Sequence, residues 1–342
     1  MHTEKIYTEY KKFNAKKVFY ILIFTIILGI IALGALLHGP SSIGFKNSFT
    51  ALFKETGIAS AIVWELRLPR IIMAILTGCG LSIAGTVFQA ILKNPLASPY
   101  TLGIASGAGF GAVLAIIFGG SLYSEYLIAG SAFFFAMLSS LIILSIARLK
   151  DPSPETMILA GIAIMFLFSS LSSFFQYIGT MEQVQEIVFW FFGSLSKTGW
   201  KEISIVSVMI FVPIPFLIKS SWKLNLLATG DESAKALGVN TTKLRMQGMI
   251  FASLITSACI CFTGVIGFVG LVSPHIGRML VGSDHRFLIP TSALIGTILV
   301  LVADTFGRIL WAPQVIPIGI VTSFIGVPFF FYLLIRRTRG YW

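Results

Sequence analysis

Uncharged apolar runs recur from one end of the chain to the other, and they constrain the fold more than any motif does. Residues 18–45, 71–92, 94–124, 126–147, 156–181, 203–218, 246–277, 287–303 and 309–335 contain no Asp, Glu, Lys or Arg. Most reach the roughly 18 residues at which a helix can cross a bilayer. Charged residues make up 11% of the chain and hydrophobic residues 56%, whereas soluble domains carry about 25% charge. A membrane β-barrel would need segments of about ten residues with alternating polarity. These runs are longer and do not alternate. A helix satisfies its own backbone in lipid, so the chain reads as an all-α polytopic membrane protein.

The run 246–277 is too long for one ordinary span, and Thr263-Gly264-Val265-Ile266-Gly267 offers a break within it. Dividing it gives about ten transmembrane helices, near 18–38, 66–92, 100–119, 124–147, 156–178, 202–218, 243–264, 268–283, 287–310 and 315–335. Both termini then lie in the cytoplasm. Most of the 25 Lys and Arg residues fall on that side, including the Arg336, Arg337 and Arg339 tail, as the positive-inside rule requires. Residues 1–17 read as a cytoplasmic tail and 18–342 as one transmembrane domain. The segment 182–192 is too short to cross and suits a surface helix. Gly103, Gly107 and Gly111, and Gly78, Ser82 and Gly85, have spacings that let helices approach closely. Pro213, Pro215, Pro274 and Pro328 predict kinks.

The net charge of +11 is accounted for by topology signals and anionic lipid headgroups rather than by nucleic acid. Cys79, Cys259 and Cys261 lie inside apolar runs and read as packing thiols. Four scattered histidines give no metal centre, and no cofactor is expected. There is no phosphate-binding loop, no H-E-x-x-H and no nucleophile elbow, so the chain is not expected to bind ATP or to act as an enzyme. Ion-coupled carriers place carboxylates at mid-membrane. Asp304 is the candidate here, and Arg308 lies one helical turn away as an ion-pair partner. Energy for transport would have to come from elsewhere.

Two features point to partners. Between two spans, Thr229 and Glu232 have capping-box spacing, Gly238 is placed as a C′ stop, and Asn240 or Thr241 can cap the next helix. That predicts a helix of about two turns near 230–238, too short to stand alone. The other feature is Arg67, Arg70 and Arg308 at the opposite face, with Arg67 and Arg70 expected on one helix face around Pro69. Docking of an acidic partner accounts for them. So does snorkelling to headgroups, or pairing with Glu65 or Asp304.

These segments resemble the iron-siderophore and cobalamin class of ABC-importer permeases, the FecCD family. The resemblance is carried by Leu66-Arg67-Leu68-Pro69-Arg70, Lys93-Asn94-Pro95-Leu96-Ala97-Ser98-Pro99 and Ala236-Leu237-Gly238. It continues through Ser273-Pro274-His275-Ile276-Gly277-Arg278, Asp284-His285-Arg286 and Pro317-Ile318-Gly319. It implies a permease in the bacterial inner (cytoplasmic) membrane, paired with a second copy or a paralogous permease. ATP-binding-cassette ATPase subunits would sit below and an extracytoplasmic substrate-binding protein above. The expected cargo is a ferric siderophore, with cobalamin or haem as alternatives and ion-coupled transport as a rival class. Arg67, Arg70 and Arg308 would meet the binding protein. Asp231, Glu232, Ala234, Leu237 and Gly238 would couple to the ATPase. Ser153, Pro154, Glu155 and Thr156 would form the inner gate, where Glu155 departs from the small polar residues common in the family. Spans five and ten would line the pathway, with Gln176 and Tyr177 as contacts.

Overall fold

The computed structural model describes residues 2–39, 44–53, 57–119, 124–150 and 152–335. Arg336, Arg337, Arg339 and Lys54 lie outside that set. Among the described residues every regular element is helical. The order is α1 (His2–Leu37), α2 (Phe45–Ala51), α3 (Ile58–Ala61), a π-helical turn (Ile62–Arg67) and α4 (Leu68–Ile91). Next come α5 (Ile104–Phe118), α6 (Glu125–Leu149), α7 (Pro154–Ile178), α8 (Met181–Phe192), α9 (Trp200–Phe211) and α10 (Ile214–Lys219). The last six are α11 (Ser221–Ala228), α12 (Asp231–Ala236), α13 (Thr241–Thr263), α14 (Val269–Val281), α15 (His285–Ile309) and α16 (Ile318–Ile335).

Seven helical stretches are long and apolar enough to cross a membrane: Asn14–Leu37, Ile58–Ile91, Glu125–Leu149, Pro154–Ile178, Trp200–Lys219, Thr241–Thr263 and His285–Ile309. Ile104–Phe118, Val269–Val281 and Ile318–Tyr332 are shorter apolar helices. The expected break in 246–277 is present: α13 stops at Thr263 and α14 starts at Val269. Pro213 separates α9 from α10, where a missing N–H and a fixed φ interrupt the ladder. Pro274 and Pro328 lie inside α14 and α16. The helix expected at 182–192 is α8, closed by a capping box between Thr180 and Gln183.

The centre of the molecule is the pair α4 and α15, backed by α13 and α14. The pair meets at Gly78 and Gly296, where a Cβ on Gly78 would lie 2.5 Å from Gly296 O. Only glycine at that crossing lets the backbones approach so closely, which is the main source of helix association in lipid. Gly107 and Gly111 serve the same end where α5 meets α6, and Ser131 Oγ donates to Gly111 O at 2.7 Å. Cys259 and Cys261 are buried, Cys79 is partly so, and all three are free thiols. The outward-facing sides of α1, α7 and α16 carry exposed Ile, Leu and Phe, as lipid-facing or subunit-facing helices must.

Candidate partner-docking and coupling sites

At one end of the α4–α15 pair, the chain gathers the three arginines named above. Arg70, in the first turn of α4, donates through Nε to Asp304 Oδ1 at 2.9 Å and reaches the same oxygen through Nη2 at 2.8 Å. Its Nη1 donates to Ser196 Oγ at 3.0 Å. Arg308, one turn beyond Asp304 on α15, is in ion-pair contact with Asp304 Oδ2 at 3.0 Å, without the alignment of a hydrogen bond. Asp304 and Arg308 are both buried. The local ion pair expected for Asp304 and Arg308 is therefore present, with Arg70 as a second cation.

Arg67 points elsewhere. It closes the π-helical turn, and from Arg67 to Arg70 the backbone is α-helical. Its Nη1 donates to Leu36 O at 2.8 Å and to Ser48 Oγ at 3.0 Å, and it is only 4% exposed. The backbone keeps the spacing of three on one helical face, but the Arg67 side chain turns to Leu36 O and Ser48 while Arg70 turns to Asp304. Even so, Arg67 and Arg70 both remain within electrostatic reach of Arg308.

The opposite end of the same helix pair holds the short helix. Gly230, at φ +118, occupies the N-cap of α12. Thr229 instead donates its hydroxyl back to Leu226 O at 2.8 Å, so the Thr229–Glu232 capping box does not form. The C-terminal stop matches expectation. Gly238 has φ +81, its N–H meets Lys235 O at 2.9 Å, and Val239 N–H meets Ala234 O at 2.9 Å. These are the two bonds of a Schellman motif. Asn240 caps α13 by accepting from Lys243 N at 2.8 Å.

Asp231 fixes this helix to the transmembrane body. It accepts from Arg245 Nη1 at 2.5 Å and Nη2 at 2.8 Å, and it pairs with Lys93 just past α4. Arg245 is buried and also donates through Nε to Ile91 O at 2.9 Å. The Arg245 fork, opposed by burial and aided by Lys93, holds the Asp231 carboxyl well below the usual carboxylate range. Ala234 is buried against this support, whereas Glu232 and Gly238 are exposed and Leu237 is 64% exposed. One side of α12 is anchored and the other is presented.

A second bridge was not legible in the sequence. Asn225 of α11 donates to Asp284 Oδ1 at 2.8 Å, and its own oxygen accepts from His285 N at 2.8 Å. Arg286 clasps Asp284 at 2.6 Å and lies 4.0 Å over the Trp222 ring. Burial raises the Asp284 carboxyl, but the Arg286 and Asn225 hydrogen bonds outweigh it and bring it to about 2. Sequence reasoning also passed over Lys93 and Arg245. The available signal was a basic residue at the edge of an apolar run.

The remaining expected residues are scattered. Ser153 caps α7 by accepting from Thr156 N at 3.2 Å, Pro154 takes the first helical position, and Glu155 is exposed. Gln176 donates to Ser172 O within α7 at 3.2 Å, and Tyr177 is 88% exposed. Among the described residues no group of three His, Cys, Asp or Glu side chains could hold a metal ion.

Residues 21–336 match the FecCD transport family. An assigned ABC transporter permease of Methanocaldococcus jannaschii is 43% identical over 97% of this chain and 98% of its own. The hemin transport system permease of Yersinia pestis is 36% identical over 91% and 94%, and the Fe(3+)-citrate import permease of Bacillus subtilis is 36% identical over 93% and 95%. A solved inward-facing transporter, assigned to the metal-chelate type of ABC transporter, superposes with a TM-score of 0.83 at 33% identity, covering 93% of this chain and 99% of that one. The chain belongs to the FecCD transport family, and is a multi-pass ABC transporter permease rather than an enzyme.

Proposed function

We propose that this chain is the permease of an ATP-driven importer of a ferric siderophore, crossing a cytoplasmic membrane ten times with both termini inside. Two copies, or one copy and a paralogue, enclose the path. An extracytoplasmic binding protein docks on the Arg70–Asp304–Arg308 end, with Arg67 beneath it. ATPase subunits grip the exposed side of α12. Seven long and three shorter apolar helices support the ten crossings, and relatives named for hemin and Fe(3+)-citrate support an iron-chelate cargo.

The observation that carries this reading is the two-ended build of the α4–α15 pair. Arg70 and Asp304 hold one end. At the other, Lys93 holds Asp231 and Asp284 holds Asn225. Motion imposed on α12 therefore reaches the docking end through two packed helices, α15 alone being about 37 Å long at 1.5 Å per residue. Partners that bind the two states unequally supply the bias. Ser153, Pro154, Glu155 and Thr156, at the start of α7, form the inner gate in this reading.

The test is uptake of a ferric siderophore into proteoliposomes holding permease, ATPase and loaded binding protein. Accumulation that needs ATP and the binding protein supports the reading. Accumulation driven by a proton gradient without ATP refutes it.

A further inference from the structure

Basic and aromatic side chains from three helices alternate along one end of the molecule. Lys17 of α1 places its Nζ 4.9 Å from the centre of the Phe287 ring of α15. Arg286, beside Phe287, lies 4.0 Å over the Trp222 ring of α11 and is held by Asp284 at 2.6 Å. Ser220, between α10 and α11, keeps right-handed helical geometry. Lys219 and Lys223 therefore flank Trp222 on one helical face. All three are exposed, Trp222 by 58%, while Ser221, Leu224 and Leu227 on the other side of α11 are buried.

What these cations adjoin decides the ligand class. On α10, Phe216 and Ile218 are exposed just before Lys219. On α1, Val18, Phe19 and Leu22 are exposed just after Lys16 and Lys17. Apolar surface thus gives way to cationic surface on two helices that the Lys17–Phe287–Arg286–Trp222 row connects. A soluble anion would use the cations and leave the apolar surface uncovered. A phospholipid supplies both a phosphate and acyl chains. Trp at headgroup level with Lys and Arg beside it marks a membrane interface, and basic pockets between membrane helices hold anionic headgroups. Lys219, Lys223 and Arg286 outnumber the Asp284 carboxylate, so the patch favours a negative headgroup over a zwitterionic one.

We propose that Lys219, Lys223 and Arg286, arranged around Trp222, bind the phosphate of an anionic phospholipid whose acyl chains run along Phe216 and Ile218. The site lies across the Asn225–Asp284 bridge, so an occupied site ties α11, the helix before α12, to α15. The proposal rests on the reading above for its place in the inner leaflet and for the bearing of that tie on coupling.

The experiment uses the full-length permease in phosphatidylcholine nanodiscs. A minor fraction of the lipid is brominated near the top of its acyl chains, either as phosphatidylglycerol or as phosphatidylcholine. Quenching of Trp222 is the difference between wild type and Trp222→Phe. Phosphatidylglycerol should quench it at least about 5-fold more effectively, the gain expected from a single basic contact with an anionic headgroup. Lys219→Gln with Lys223→Gln should erase that preference with the circular dichroism spectrum unchanged. Equal quenching by the two lipids in the wild type would overturn the site, and so would quenching by neither. Inorganic phosphate that removed the preference, where chloride of the same ionic strength did not, would assign the cations to a free anion instead. Loss of quenching on assembly with the ATPase would assign the patch to that protein and overturn the proposal. None of these readouts needs transport, so uptake driven by an ion gradient without ATP would refute the importer reading and leave the lipid site standing.

Discussion

Asp304 on α15 accepts from Arg70 on α4 at 2.9 Å while facing Arg308 at 3.0 Å, so one buried carboxylate serves two guanidiniums. The arrangement does two jobs. It pins the helix pair at that end, and it leaves more positive than negative charge there. Under the proposed docking, an acidic partner would meet arginines already oriented, which lowers the entropy lost on binding.

Asp304→Asn should destabilise the permease. Removing one member of a buried ion pair leaves its partner uncompensated, at a cost of about 3–5 kcal/mol. Thermal unfolding in detergent should show it, and Asp304→Asn with Arg308→Gln should recover a large part of the loss. Additive losses in the double variant would count against the pairing.

Arg67 and Arg70 should separate by variant. Arg70 is the more accessible of the two, with a side chain 14% exposed. Arg70→Glu should weaken binding-protein docking at least about 10-fold in a pull-down titration and spare ATPase assembly. Arg67→Glu should instead lower stability, because it places a carboxylate against Leu36 O. Equal docking defects with normal stability in both would contradict this assignment.

Gly238→Val should uncouple ATP hydrolysis from uptake. At φ +81 a residue with a Cβ carries a penalty of about 1–2 kcal/mol, and a β-branched one is worse placed to close the Schellman turn. ATPase activity with little cargo movement is the expected result, and normal coupling would contradict the role of α12.

The Asp231 clip should be insensitive to pH near neutrality. Its carboxyl is shifted downward by the Arg245 hydrogen bonds and by Lys93, against burial. The stabilisation is therefore full above the ordinary aspartate value of about 3.9 and is lost as pH falls through the lower folded value. Asp231→Asn should impair coupling already at pH 7. A wild-type loss of coupling between pH 7 and 5 traced to this residue would refute the clip.

Gly78→Val should prevent the α4–α15 approach. A Cβ there meets Gly296 O at 2.5 Å, and overpacking of this kind costs about 1–3 kcal/mol or more. Lower yield of folded permease by size-exclusion chromatography is expected. An unchanged melting temperature would contradict the close crossing.

The features legible in the sequence arise from periods and from backbone needs. Uncharged runs located most of the apolar helices to within a few residues, because lipid leaves few alternatives, but α1 extends back to His2 and the second apolar stretch back to Ile58. Gly238 and Asn240 were legible because a left-handed stop and a side-chain cap each need particular residues. The Thr229 cap failed because Gly230, at φ +118, takes the N-cap position and turns Thr229 back on α11. The spacing of Arg67 and Arg70 was legible, but their separate partners, Leu36 O and Ser48 for one and Asp304 for the other, were not. Lys93 and the Asn225–Asp284 bridge join residues far apart in the chain, and Arg245 reaches Asp231 across the turn between α12 and α13; helical periods carry no record of such pairs.

The most direct measurement is reconstitution with and without companions. Purified permease in proteoliposomes should move no ferric siderophore uphill, and adding the ATPase, loaded binding protein and ATP should start accumulation. Uphill uptake by the permease alone, driven by a proton or sodium gradient, would contradict the account.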